Sequence, residues 1–398
     1  MSSTVRALAY ATFLRAVGRG LFITVSVIFF KLSVGLQDAE VGLGLTIAGA
    51  VGLAGGLPAG RLADVVGPRR VQIAFAVVSG LAVSAYALVG SFAGFVIVAA
   101  VVSFADAGES AARGALVGGS VPADQRVKAR AFLRAVTNVG WTVGGLGAGA
   151  ALHFDARPVY LAMIFGCSAA YLGSAALGLR VPRVAPVPRP EDGTPVWLVL
   201  RDRPYAMLSL LNAVLFVQNG LFTVALPLWV VSRTSAPPLT VAALAMLNTI
   251  TVTLLQMRLS RGSDDVAGAA RAQRRAGVFL LGACVLFALA AGQPVWVAVT
   301  VLIAGGLLHV FGELLQAAGS WGLSYELAPE HAIGQYQGLY QMGQQAANIV
   351  APALLTAVVT GWGSLGWLLV GALFLGAGLA VPMAARSAQR ARLAVPAA

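Results

Sequence analysis

Twelve apolar stretches of about 20 residues recur from one end of the chain to the other, and they leave it little choice of architecture. Hydrocarbon satisfies no backbone N–H or C=O, so a segment crossing a ~30 Å core has to satisfy its own, which a helix of ~20 residues does. The expected spans are 7–33, 41–62, 71–89, 93–118, 130–151, 158–179, 204–231, 238–258, 276–291, 294–318, 335–360 and 364–384. Only 11% of the residues are charged and 58% are hydrophobic, which excludes a soluble globule of ordinary composition. The expected fold class is all-α integral membrane. No cleavable leader is expected, because Arg15 and Arg19 interrupt the first span and it runs on past any small-residue cleavage site.

A net charge of +12 raises the question of nucleic acid, which the placement of the charges answers. With the N-terminus in the cytoplasm, 21 of the 27 Lys and Arg fall on that side, in clusters such as Arg69 and Arg70, Arg126 to Arg134, and Arg271 to Arg275. This is the positive-inside bias; it predicts a multi-pass plasma-membrane protein with both termini cytoplasmic, a lipid partner and no nucleic-acid partner. The longest polar interruption, 181–202, carries Pro182, Pro186, Pro188, Pro190 and Pro195 around Glu191, Asp192 and Gly193. Such proline density resists helix and reads as a linker. It divides a six-helix half at 1–180 from another at 203–398, the plan of a transporter with its site near the midplane.

Three carboxylates lie inside apolar spans: Asp106 and Glu109 in the fourth, Glu313 in the tenth. A charge at the bilayer centre costs ~3 kcal/mol or more, so each marks a functional-site hypothesis, here the handling of protons. At 3.6 residues per turn Asp106, Glu109 and Arg113 share one helix face, as do Arg15 and Arg19 on the first span. Pairing between these two helices removes most of the penalty. Glu313 pairs in sequence with His309 at i, i+4 and has no arginine among the spans of its own half, which makes it the first candidate for proton coupling. Gln218 and Asn219 in the seventh span, and Tyr340, Gln341 and Gln344 in the eleventh, are candidates for polar contacts with a small molecule, as are Arg15, Arg19, Arg113 and His309. Phe216, Phe222, Trp229, Phe311 and Trp321 offer apolar surface. A cavity of mixed apolar and acidic lining suits a lipophilic, often cationic compound. No catalytic residue, metal site or cofactor is expected: there is no Walker loop or nucleophile elbow, His153, His309 and His331 are scattered, and Cys167 and Cys284 read as buried side chains.

The loop after the second span, Gly60, Leu62, Ala63, Asp64, Gly67, Arg69 and Arg70, resembles the loop signature of the major facilitator superfamily, with Val65 and Pro68 departing from it. Gly140, Gly144 and Ala148, with Gly145 and Gly149, resemble the glycine-rich fifth helix of its drug/proton antiporters, although Gly145 stands where a proline is usual. Gly312, Glu313, Leu314 and Leu315, then Glu326, Leu327, Ala328 and Pro329, then Gly334, Tyr336, Gln337 and Gly338, resemble its twelve-helix bacterial multidrug exporters. The resemblance implies the major facilitator fold, with helices 1, 4, 7 and 10 lining a central cavity. It also implies a conformational-switch loop at Gly60, Asp64, Gly67, Arg69 and Arg70, to which Asp124 is added as a further member. The implied function is proton-coupled export of small amphipathic compounds by a monomer. Proton-coupled uptake uses the same equipment, and a non-transporting sensor is the third reading.

Overall fold

A computed structural model describes residues 2–32, 34–154, 156–187 and 197–393, and among them every regular element is a helix. Twelve are long: α1 (Ser3–Leu32), α2 (Asp38–Val66), α3 (Pro68–Ala85), α4 (Phe92–Ser120), α5 (Arg126–Leu152), α6 (Arg157–Gly178), α7 (Arg203–Arg233), α8 (Leu239–Leu259), α9 (Val266–Leu289), α10 (Val295–Glu326), α11 (Ile333–Trp362) and α12 (Ser364–Leu393). Eleven are long and apolar enough to cross a membrane; α5 falls short because its glycines and Asn138 dilute its apolar residues.

Helix ends follow local chemistry. Ser91 accepts from the Gly94 amide at 3.2 Å at the start of α4, and Asp202 accepts from the Tyr205 amide at 3.0 Å at the start of α7. Between α2 and α3 the chain reverses at Gly67, whose φ of +103° is a conformation that favours glycine. The apolar runs understate three helices. α9 begins at Val266 rather than 276, α10 continues to Glu326 rather than 318, and α12 to Leu393 rather than 384. Hydropathy marks only the part that lies in hydrocarbon, whereas a helix capped by Asp265 at Gly268 carries Arg271, Arg274 and Arg275 before its apolar run begins. α7 is interrupted: Leu221–Ala225 forms a π turn between two α-helical pieces. Of the proline-rich segment, residues 182–187 are extended or irregular and Leu198–Arg201 is a short helix. Pro188, Arg189, Pro190, Glu191, Asp192, Gly193 and Pro195 lie outside the described residues.

The chain forms two compact units. Unit 1 comprises the chain up to Pro122, Phe132–Leu198 and Ala328–Met342; unit 2 comprises Ala123–Ala131, Val199–Leu327 and the chain from Gly343. In unit 1, α2 packs on α4, α1 on α6, and α3 on both α4 and α6. An aromatic plug closes one end, with the Phe30 ring centroid 4.5 Å from that of Phe95 and 5.0 Å from that of Tyr86. α1 meets α5 through small residues: a Cβ at Gly144 would collide with the Val17 carbonyl, and one at Gly140 would lie 2.6 Å from the Ala16 Cβ. The second small-residue face of α5 is different, since a Cβ at Gly149 meets nothing within 4 Å. In unit 2, α9 packs on α10 and α12, α12 on α7, and α8 on α10. Phe287 and Trp367 meet edge to face at 5.1 Å, and the Trp229 indole donates to the Phe287 carbonyl at 2.9 Å, so Trp229 belongs to packing.

Candidate functional site

Unit 1 brings together the five charged residues that the sequence placed on two helix faces. Asp106, at the midpoint of α4, takes Arg15 on one carboxylate oxygen at 2.6 Å and Arg19 on the other. Arg15 also turns its Nε to Glu109 at 2.9 Å, so one guanidinium bridges both acids, and its Cζ stands 4.5 Å from the centroid of the Tyr171 ring. Arg113 lies 3.8 Å from Glu109 one turn along α4. Two further partners come from α3: Ser79 donates to Asp106 at 3.2 Å and Gln72 to Glu109 at 3.3 Å. The carboxylates are enclosed, with side chains 13% and 1% exposed, whereas Arg19 is 41% exposed.

Unit 2 encloses the third acid. Glu313 is 6% exposed and accepts from the Asn248 amide of α8 at 2.8 Å. One turn earlier on α10, His309 meets the backbone carbonyl of Gln218 through Nε2 at 3.1 Å and stacks on Phe222, with centroids 4.8 Å apart. The π turn of α7 begins three residues after Gln218, so the histidine sits where the helix register slips. Two turns toward the other end of the unit, Asn212 accepts from Gln316 at 2.7 Å and from Gln273 at 3.1 Å, joining α7, α10 and α9. His309 and Glu313, one turn apart as expected, each also have a partner on a different helix.

The loop residues of the expected switch also have defined places. Both carboxylate oxygens of Asp64 accept consecutive backbone amides at the start of α11, Gly334 at 2.6 Å and Gln335 at 2.9 Å. A helix N-terminus carries unsatisfied N–H groups and partial positive charge, which an aspartate complements. The approach depends on two glycine pairs. A Cβ at Gly60 would collide with the Gly334 carbonyl, and one at Gly338 would stand 2.5 Å from that of Gly56. Arg69 donates to the Leu179 carbonyl at the end of α6, and Arg61 lies over the Trp197 ring at 4.6 Å. Asp124 belongs to unit 2, beside Asp264 and Asp265; burial, first, and those two like charges hold the Asp264 carboxyl above its ordinary range.

The remaining candidates divide between the units. Tyr340 and Gln341 belong to unit 1, while Gln344, Gln218 and Asn219 belong to unit 2. Tyr340 and Gln218 are buried, Asn219 and Gln341 are half-buried, and Gln344 stands 3.5 Å from the Ser320 hydroxyl. Sequence reasoning missed Gln72, Ser79, Asn248, Gln273 and Gln316. A signal was present for the first two, which lie two turns apart on one face of α3 with only apolar residues between them. Among the described residues no three His, Cys, Asp or Glu side chains converge as a metal site.

Comparison with known proteins follows the same lines. The sequence model described as Major Facilitator Superfamily matches residues 8–352. A crystal structure of a bacterial homologue of the iron transporter ferroportin, in an outward-facing state, superposes with a TM-score of 0.77 at 16% identity, covering 98% of this chain and 100% of that one. The human organic anion transporter MFSD10 (TETRAN) gives 0.72 at 14% identity, covering 95% and 98%. The proton:xylose symporter XylE, bound to 6-bromo-6-deoxy-D-glucose, gives 0.68 at 14% identity, covering 96% of each chain. At such identities the likeness is one of fold. No curated protein matches the chain.

Proposed function

Because the chain belongs to the major facilitator superfamily and is therefore a multi-pass membrane transporter, we propose that it exports small amphipathic compounds in exchange for protons. The six-helix halves at 1–180 and 203–398 alternate about the linker at 181–202, with both termini in the cytoplasm, and Glu313 carries the coupling proton. The observation that supports this reading is the setting of Glu313. A carboxyl 6% exposed in the middle of α10, accepting from the neutral amide of Asn248 and one turn from the His309 imidazole, is an enclosed titratable group of the kind a proton-coupled step needs. Asp106 and Glu109 are bound to guanidinium groups and serve better as fixed charge. One charge moved down 100 mV supplies ~2.3 kcal/mol, enough for a gradient of roughly fifty-fold. Proton-coupled uptake is the second reading, favoured by the proton:xylose symporter among the similar structures.

The test is a reconstituted vesicle with an imposed pH gradient and a panel of fluorescent amphiphiles. Gradient-dependent movement opposite to the proton flow supports export, and movement with it supports uptake. No movement of any compound in either direction refutes both. Replacing Glu313 by Gln holds the site in its protonated form, so uphill flux is expected to stop while gradient-free exchange continues. Full uphill flux in that variant would transfer the coupling role to α4.

A further inference from the structure

We infer, building on the transporter reading, that the substrate class is anionic: Arg19 and Arg113 of unit 1 receive a carboxylate or sulfonate carried on an apolar skeleton. The mid-membrane network of this unit holds three guanidiniums against two carboxylates. The formal charge of these five groups is therefore net positive, and exposure decides which sign a visitor meets. The acids are 13% and 1% exposed and are turned toward Arg15, Ser79 and Gln72. The Arg19 and Arg113 side chains are 41% and 21% exposed. Arg19 lies near the midpoint of α1, where an open guanidinium facing hydrocarbon is strongly disfavoured, so its open side faces water. A guanidinium presents paired N–H donors in a fork that matches a planar carboxylate or a sulfonate, and Arg19 spends only part of that fork on Asp106. An amphipathic cation, the expectation from counting acids in the sequence, meets no open carboxylate in this network, because Asp106 and Glu109 are enclosed, and Glu313 in unit 2 is enclosed as well.

The experiment measures binding and flux separately in phosphatidylcholine proteoliposomes, with two probes of one skeleton, naphthalene-2-sulfonate and (2-naphthyl)methylammonium. The sulfonate is expected to bind, and Arg19→Gln to weaken it by roughly tenfold to a hundredfold, the range for a hydrogen bond to a charged group. Arg19→Lys, which keeps the charge but not the fork, is expected to restore only part of the affinity. The Arg19→Gln protein should fold, because Asp106 keeps Arg15 and Ser79. Should it not fold, Arg113→Gln, on the other side of the pair, gives the same reading. Sulfonate affinity unchanged in both variants, or preference for the ammonium probe in the parent protein, overturns the inference. A second bilayer containing phosphatidylglycerol separates the two sources of an anionic head. Arg19-dependent displacement of the sulfonate by that lipid makes this a headgroup site and overturns the substrate assignment; no displacement supports it. Sulfonate binding that persists without any proton-driven flux sustains this inference while refuting the transport mechanism proposed above.

Discussion

Asp106 is the residue on which the charged interior of unit 1 turns, because it accepts Arg15, Arg19 and Ser79 at once. Removing one member of a buried ion pair costs ~3 to 5 kcal/mol, since the partner keeps its desolvation penalty without its compensation. Arg19 is 41% exposed and Arg15 retains Glu109, so Asp106→Asn falls at the low end, about 3 kcal/mol. The expected result is a clear drop in the melting temperature of the purified protein. Adding Arg19→Gln to Asp106→Asn is expected to recover part of the loss, because it removes a cation left in excess. A double variant less stable than Asp106→Asn alone would show that Arg19 contributes packing rather than charge, and a double-mutant cycle separates the two.

At the scale of elements, the contact between α2 and the start of α11 is a seam of glycines closed by an aspartate. Gly56 and Gly60 face Gly338 and Gly334, and only without side chains do the backbones come near enough for Asp64 to reach the Gly334 and Gln335 amides. Gly60→Ala forces α2 away from α11, and Asp64→Ala removes the cap, a change costing ~1 kcal/mol. Both variants are expected to speed hydrogen exchange at Gly334 and Gln335 and to change the rate of substrate exchange while leaving substrate affinity nearly intact. The amide readout tests the contact whatever the transported compound is. Protection at Gly334 and Gln335 equal to that of the parent would show that the cap contributes nothing to holding α11.

For the molecule as a whole, the membrane-external acids set a pH dependence whose sign can be worked out. Asp264 has its folded pKa raised by burial and by Asp124 and Asp265, so the native state binds its proton more tightly than the unfolded chain does. That contribution favours folding at acid pH and is lost as pH rises from the ordinary carboxylate value through the raised one. Asp264→Asn should therefore melt higher than the parent at pH 7, with the difference vanishing near pH 3. A difference that grows on acidification would reverse the assignment. What the sequence determined on its own was the membrane class, the helix number and the presence of buried acids, because hydropathy over ~20 residues and spacing along one helix are local properties. It also carried the family likeness, through the loop from Gly60 to Arg70 and the run from Gly312 to Gly338. Only the tertiary structure decided which partner each acid takes. Asn248 reaches Glu313 across 65 residues and Gly334 reaches Asp64 across 270, and no pattern along either segment encodes the other. Tertiary packing also decided which charges of the network around Asp106 and Glu109 are exposed, because formal charges can be counted in a sequence whereas their burial depends on how α1, α3 and α4 pack.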